Sequence, residues 1–89
     1  MHIHLLKLFV RNIEGSINEV ALESLFAMHG KVINTKIVYD KITWESKGFG
    51  FIEMSKKEEG EKAIAALNGF VIKGKPLQVQ EADESKRRF

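Results

Sequence analysis

Two phenylalanines, Phe49 and Phe51, stand at alternate positions between Lys47 and Glu53. In a β-strand alternate side chains share one face, so these four side chains would point the same way. A face that only meets water has no need for two phenylalanines, and a buried face would exclude a carboxylate. Exposed aromatic rings beside cations provide a surface on which unpaired nucleic-acid bases stack. This spacing therefore indicates a base-stacking surface on an open sheet.

The stretch Leu6–Ile13 repeats the pattern. Its aliphatic positions alternate with Lys7, Phe9 and Arg11, so one face would be apolar and the other would carry an aromatic ring between two cations. Two such strands side by side would form one surface with three phenylalanines. Lys36 joins this surface if Thr35 and Ile37, in the strand 32–39, face the core.

Periodicity and turn residues predict four strands and two helices, in the order β-α-β-β-α-β. The strands are predicted at 6–13, 32–39, 47–54 and 77–82, and the helices at 18–28 and between Ser55 and Asn68. This order predicts an α+β, ferredoxin-like fold, a four-stranded antiparallel sheet with both helices on one face. Right-handed crossovers would place the first and third strands at the centre of the sheet. Those two strands carry the three phenylalanines.

Local signals refine the two helices. Asn18 is the expected N-cap of the first helix, whose buried stripe is expected to include Leu22, Leu25, Phe26 and Met28. Ser55 and Glu58 have the spacing of a capping box at the start of the second helix.

Composition excludes several classes of function. The chain has 89 residues, enough for one domain, and its net charge of +2 is too small for binding nucleic acid by charge alone. It has no cysteine, hence no disulfide, thiolate metal site or cysteine nucleophile, and we expect a cytoplasmic protein. No apolar run approaches the roughly 20 residues of a membrane span, and no signal peptide is expected. The pair His2 and His4 lacks a third ligand, so no metal site is predicted.

Two regions have open interpretations. Trp44, in the polar loop 40–46, either contacts a base at the edge of the surface or folds onto its own hairpin. The basic residues near the C-terminus either strengthen binding or form an ordinary flexible tail. The expected organisation is a short extension at 1–5, a domain at 6–83 and a flexible tail at 84–89.

The chain closely resembles the RNA recognition motif family. The octamer Lys47-Gly-Phe-Gly-Phe-Ile-Glu-Met54 matches the family pattern Lys/Arg-Gly-Phe/Tyr-Gly/Ala-Phe-Val-x-Phe/Tyr. The hexamer Leu8-Phe-Val-Arg-Asn-Ile13 is similar to the second family signature. The resemblance covers residues 6 to about 83 and extends, more weakly, to small single-motif proteins of bacteria and cyanobacteria. Arg11 departs from it, since that position usually holds a small residue.

The resemblance implies single-stranded RNA as the partner and a post-transcriptional or RNA chaperone-like role. Phe9 and Phe49 would each stack a base, Phe51 would pack against the linking sugars, and Lys47 would pair with a phosphate. Further contacts are expected from a set of polar residues around the rings: Lys7, Arg11, Lys36, Gln78 and Gln80. A monomer without cofactor, small-molecule substrate or membrane attachment is expected.

Two alternatives stay open beside RNA binding. The same face could bind a peptide as a protein-interaction module, and single-stranded DNA could replace RNA because stacking is indifferent to the sugar. An enzyme is not expected. The sequence has no Walker loop, metal-ligand cluster or nucleophile–base pair, and Glu14 in the loop after the first strand would repel a phosphate.

Overall fold

The computed structural model describes residues 5–82. The elements are β1 (Leu6–Arg11), α1 (Glu19–Ala27), β2 (Val32–Tyr39), β3 (Ser46–Met54), α2 (Lys57–Leu67), β4 (Val71–Ile72), β5 (Lys75–Pro76) and β6 (Gln78–Glu81). No helix in this part of the chain has the length and apolar character needed to cross a membrane. The predicted ferredoxin-like arrangement is confirmed, with one addition. The segment before the last strand forms a small hairpin in which β4 pairs with β5.

The main sheet has the strand order β2-β3-β1-β6, and all its neighbours are antiparallel. The predicted central position of the first and third strands is confirmed. In their register, Phe9 lies directly opposite Phe51 and Arg11 lies opposite Phe49. Alternation along these paired strands therefore places the rings of Phe9, Phe49 and Phe51 on one face.

The core lies between the other face of the sheet and the two helices. Leu8 and Ile52 pack there against Leu22 and Phe26 of α1 and Leu67 of α2, and all five are buried. Burying aliphatic or aromatic side chains of this size contributes about 1.5–3 kcal/mol each. Because both helices use this face, neither covers the face that carries the phenylalanines.

Gly50, in the middle of β3, allows β2 to approach closely. A side-chain carbon at this position would collide with the backbone carbonyl of Lys36. The missing side chain thus lets the two strands pair with Lys36 opposite Phe51. The approach places a cation beside the central rings.

The two edges of the main sheet are irregular. Along β2 the register with β3 shifts between Val32 and Asn34 and again between Ile37 and Tyr39. At the opposite edge β6 has only four residues, and the backbone N–H of Val79 donates to Oδ1 of Asn68 at 2.9 Å.

The first helix begins where it was predicted to begin but ends earlier. Oδ1 of Asn18 accepts a hydrogen bond from the backbone N–H of Ala21 at 2.9 Å, so the predicted N-cap is confirmed. The helix ends at Ala27, and Met28 is 77% exposed. The expectation that Met28 belongs to the buried stripe is wrong, because this residue lies past the last helical turn.

The predicted capping box of the second helix does not form. The helix begins at Lys57, one residue later than a Ser55 cap requires, and no side chain caps it. The reason is that the backbone N–H of Ser55 donates to the carbonyl of Lys31 and so remains part of the extended chain. The Ser55 hydroxyl donates to Glu59 instead of accepting from the helix.

Glu59 connects α2 to the loop between α1 and β2. Its Oε1 accepts hydrogen bonds from the backbone N–H of Lys31 at 3.0 Å and from the Ser55 hydroxyl at 3.1 Å. The hydrogen bond from the Lys31 N–H is the main reason that the pKa of Glu59 lies below its usual range. Burial opposes this effect, and the Ser55 hydroxyl and the charges of Lys56 and Lys62 lower the pKa further. A carboxyl whose pKa is lowered by folding stabilises the fold only while it is ionised.

We expect Glu59→Gln to destabilise the domain at pH 7 and to have a much smaller effect at pH 3. The stabilisation by Glu59 is fully present above the pKa of about 4.3 that its carboxyl has in the unfolded chain. It is lost as the pH falls through the lower pKa that this carboxyl has in the folded domain. Urea unfolding of both proteins across pH 3–7 measures the difference. Glu61→Gln, at an exposed position on the same helix, removes the same charge but keeps the Glu59 hydrogen bonds, and serves as the control. A Glu59→Gln effect that is equal at pH 3 and pH 7 would contradict the assignment.

Candidate nucleic-acid interface

Three half-buried phenylalanine rings form the centre of the open sheet face, and we call Phe9, Phe49 and Phe51 the aromatic platform. The Phe9 and Phe51 rings are stacked, with centroids 5.2 Å apart and planes 27° apart. Phe49 meets Phe9 edge-on, at 6.0 Å and 71°. The prediction that the three rings form one surface is confirmed, but they do not share one orientation.

Cations border the platform along β1. Nζ of Lys7 lies 4.9 Å from the centre of the Phe51 ring, and Cζ of Arg11 lies 5.7 Å from the centre of the Phe9 ring. Contacts of this kind between a cation and an aromatic face contribute about 0.5–1 kcal/mol at exposed sites. They therefore hold positive charge close to the rings.

Two more cations stand on the neighbouring strands. Lys36 is exposed on β2 and lies opposite Phe51, while Lys47 is exposed near the start of β3. The structure thus brings Lys7, Arg11 and Lys36 around one aromatic surface, and Lys47 lies where the loop 40–45 meets β3, close enough for its charge to act on Asp40. A chain with little net charge in this way obtains a locally basic face.

The last strand adds two amide side chains on the β1 side of the platform. Gln80 lies opposite Phe9 and Gln78 lies opposite Arg11, and both are exposed. Nη2 of Arg11 donates a hydrogen bond to Oε1 of Gln78 at 2.8 Å. We call these two residues the Arg11–Gln78 pair. The sequence places both on the open face but does not show that they bond to each other.

Asn12 fixes the end of β1 next to this pair. Its backbone has a φ of 61°, and its Nδ2 donates to the carbonyl of Pro76 at 2.8 Å. Ile13 then donates its N–H to the carbonyl of Gly48 at 2.9 Å. Sequence reasoning did not give Asn12 a role. The available signal was an asparagine at a strand end, since asparagine accepts a positive φ more readily than most residues.

The loop between β2 and β3 is closed by its own hydrogen bonds. Oδ1 of Asp40 accepts from the backbone N–H groups of Ile42 and Thr43, and the carbonyl of Asp40 accepts from the N–H of Trp44. Trp44 has a φ of 62°, and 74% of its side chain is exposed. This exposure favours the alternative in which Trp44 contacts a base over the one in which it folds onto its own hairpin.

The same loop carries a carboxylate close to the platform. The backbone N–H groups of Thr43 and Ile42 hold the pKa of Asp40 below its usual range, and the charge of Lys47 lowers it further. Asp40 is therefore ionised at neutral pH. Its negative charge offsets part of the charge of Lys47 at this edge.

The described residues hold no cluster of side chains that could bind a metal ion. Between residues 5 and 82, no three histidine, cysteine, aspartate or glutamate side chains come together in a way that could hold a metal. The pair His2 and His4 lies outside the described residues.

Comparison with known proteins places this arrangement in a family. A sequence model of the RNA recognition motif matches residues 8–78. The chain belongs to the RNA recognition motif family. The match includes both signatures from which the resemblance was recognised, and the observed strand order and helix placement agree with it.

Relatives of this RNA recognition motif include ribonucleoproteins and solved RNA-binding domains. The chain is 40% identical over 77 residues to the 29 kDa chloroplast ribonucleoprotein of Arabidopsis thaliana, covering 86% of this chain and 22% of that protein. Among solved structures, RNA binding protein PG1 shares 31% identity at a TM-score of 0.83, covering 86% of this chain and 93% of that one. A Sxl-lethal protein/RNA complex shares 33% identity at a TM-score of 0.81, covering 85% and 47% of the two chains.

These comparisons correct the expected location. The chloroplast ribonucleoproteins among the relatives point to the chloroplast, so the cytoplasmic expectation is wrong. It rested on the absence of cysteine, which excludes disulfides but does not distinguish one reducing compartment from another. The suggested similarity to bacterial single-motif proteins is also not confirmed, since these relatives are plant proteins. The chain spans between 22% and 35% of the length of the curated relatives.

Substitutions at Asn12 separate the two reasons for an asparagine there. Asn12→Ala should lower the free energy of unfolding by about 1–2 kcal/mol, because alanine loses the bond to Pro76 and tolerates a positive φ poorly. Asn12→Gly should cost about 1 kcal/mol or less, since glycine accepts the backbone conformation and loses only the bond. Urea unfolding of the two variants checks the order. A glycine variant less stable than the alanine variant would show that φ is not the constraint.

Proposed function

We propose that this domain binds single-stranded RNA on the open face of its sheet. The observation that carries the proposal is the aromatic platform, three half-buried phenylalanines on a face that neither helix covers. An apolar ring surface exposed to water is costly unless a ligand uses it, and unpaired bases stack on such rings for about 1–3 kcal/mol per base. The RNA complex of a relative that is 33% identical supports the same partner.

The ring orientations favour a division of roles that differs from the expected one. Phe9 and Phe51 lie in direct register with nearly parallel planes, so both can receive bases at the same time. Phe49 is turned by 71° from Phe9 and presents a different surface. We therefore assign base stacking to Phe9 and Phe51, and the sugars between the two bases to Phe49.

The cations supply the remaining attraction. Lys36, Lys47 and Lys7 are assigned to the phosphates that link the stacked bases, and Arg11, held against the Phe9 ring, to a base. A platform of this size holds about two or three bases, so a single domain binds with modest affinity that falls as salt rises. Gln78 and Gln80 lie beside the bases and are assigned to their edges.

The proposal concerns a binding domain with no catalytic step. Because the chain spans a minority of the length of its curated relatives, their whole-protein roles are not transferred to it. The domain bounds of 6–83 and a monomeric state stay predictions, and positions 83–89 lie outside the described residues.

Alanine substitutions in the platform test the proposal directly. Phe9→Ala and Phe51→Ala should each weaken binding of a single-stranded RNA hexamer by about 1–3 kcal/mol, because each removes a stacking ring. Phe49→Ala should cost less than either. Fluorescence anisotropy of a labelled hexamer, measured at two salt concentrations, gives the affinities, and circular dichroism confirms that each variant is folded.

The matched control is Phe70→Ala. This phenylalanine is 45% exposed just before the small β4–β5 hairpin and is not one of the platform rings, so its loss should leave RNA affinity unchanged. Unchanged binding in a folded Phe9→Ala/Phe51→Ala double variant would exclude the platform as the binding site. Saturable binding of a peptide with no affinity for RNA would favour the protein-interaction alternative, and equal affinity for a DNA hexamer would extend the ligand to single-stranded DNA.

Trp44 reports whether the loop takes part. It is the single tryptophan in the chain, so intrinsic indole fluorescence observes this loop alone. We propose that it contacts RNA at the edge of the platform, and saturation with an RNA hexamer should quench its emission. Trp44→Ala should also weaken binding, whereas Ile42→Ala, 89% exposed in the same loop, should not. Unchanged emission at saturating RNA would show that the indole does not touch the ligand.

A further inference from the structure

The bond between Arg11 and Gln78 fixes which chemical groups the pair presents to a ligand. An arginine guanidinium has five N–H donors and no acceptor. Its partner in the 2.8 Å bond from Nη2 must therefore be the carbonyl oxygen of the Gln78 amide. The amide NH₂ group of Gln78 then points away from Arg11. Most of the remaining groups of both side chains that can meet a base are donors, and Oε1 of Gln78 keeps a single free lone pair.

This donor-rich surface lies at one end of the platform. Arg11 contacts the ring of Phe9 through its guanidinium and lies opposite Phe49, so a base on Phe9 comes within reach of the pair. The carboxylate of Glu53, a strong acceptor, is opposite Lys7, four residues along β1 from Arg11. At about 3.4 Å per residue it is roughly 14 Å away and does not serve the same base.

We propose that the Arg11–Gln78 pair selects a base with a carbonyl at pyrimidine C4 or purine C6, namely uracil or guanine, over cytosine or adenine. The proposal rests on the RNA-binding function proposed above. Uracil O4 and guanine O6 are acceptors that match the donors of the pair. Cytosine and adenine place an amino group at the same ring position, where donor would face donor. The N–H donors of Arg11 would then find no acceptor at that position of the base.

The residue types at this position agree with a role in recognising the base. Arg11 occupies a place where the resemblance leads us to expect a small residue, and a guanidinium held by both a ring and an amide has lost most of its side-chain freedom before the ligand arrives. A preorganised fork discriminates between acceptors by direction, which a mobile lysine ammonium does not.

Two RNA hexamers whose bases differ only at ring positions 3 and 4 test the proposal. Hexauridylate and hexacytidylate have the same backbone and the same ring size, but a carbonyl in uracil replaces an amino group in cytosine. The wild-type domain should bind hexauridylate at least about fivefold more tightly, the factor that corresponds to 1 kcal/mol. Fluorescence anisotropy at a fixed salt concentration gives the ratio of the two dissociation constants.

Two variants assign the ratio to the pair. Arg11→Lys keeps the positive charge but loses the fork, and Gln78→Met removes the amide without adding charge. Each should bring the ratio close to one, and Arg11→Lys should retain the salt dependence of the wild type. Lys36→Met, at the opposite edge of the platform, is the control. It should weaken binding of both hexamers and reduce the salt dependence while leaving the ratio unchanged.

The outcomes separate this proposal from the function on which it rests. Salt-dependent binding of both hexamers with equal affinity would overturn the base preference and leave RNA binding intact. A preference that persists in both folded Arg11→Lys and Gln78→Met would also overturn it, since the selection would then come from elsewhere. No binding of either hexamer to the folded wild-type domain would reject the proposed function and the preference together.

Discussion

The direct pairing of β1 with β3 at the centre of the sheet is the constraint on which the rest of this structure depends. It places Phe9 opposite Phe51 and Arg11 opposite Phe49, and it gives each strand one aliphatic and one aromatic face. A register shifted by one residue would exchange the faces of a whole strand. The buried residues of β1 and β3 resist this exchange, because it would send leucine and isoleucine to water and phenylalanine and lysine into the core. Core packing and ligand surface are therefore held in place by the same set of hydrogen bonds.

Much of this arrangement could be predicted from the sequence because it follows from period-two alternation. Phe9, Phe49 and Phe51 share a face for the same reason that Leu8 and Ile52 share the other, and no knowledge of distant contacts is required. The central position of the two strands follows from element order and the handedness of crossovers. The placement of the three rings on one face could thus be predicted from this one sequence, and the family match agrees with it.

The parts that could not be predicted depend on contacts between residues far apart in the chain or on ring rotation. Arg11 and Gln78 are separated by 67 positions, so their bond is not visible in any local pattern. The different orientation of Phe49 is set by packing around each ring. Ser55 and Glu58 have the spacing of a capping box, yet the bond from Ser55 N–H to Lys31 keeps that serine extended and outside the helix. In each of these cases tertiary contacts, and not local sequence signals, determine the structure.

The irregular edges of the main sheet have a consequence for a domain that exposes three phenylalanines to water. A long, flat edge strand offers unpaired N–H and C=O groups to a strand of another molecule. Here the register shifts in β2 twist one edge, and Asn68 occupies the N–H of Val79 on the other, where the strand has only four residues. These features hinder the addition of a foreign strand at either side. They oppose aggregation through the sheet edges, so the apolar open face can be maintained without making the sheet a template for self-assembly.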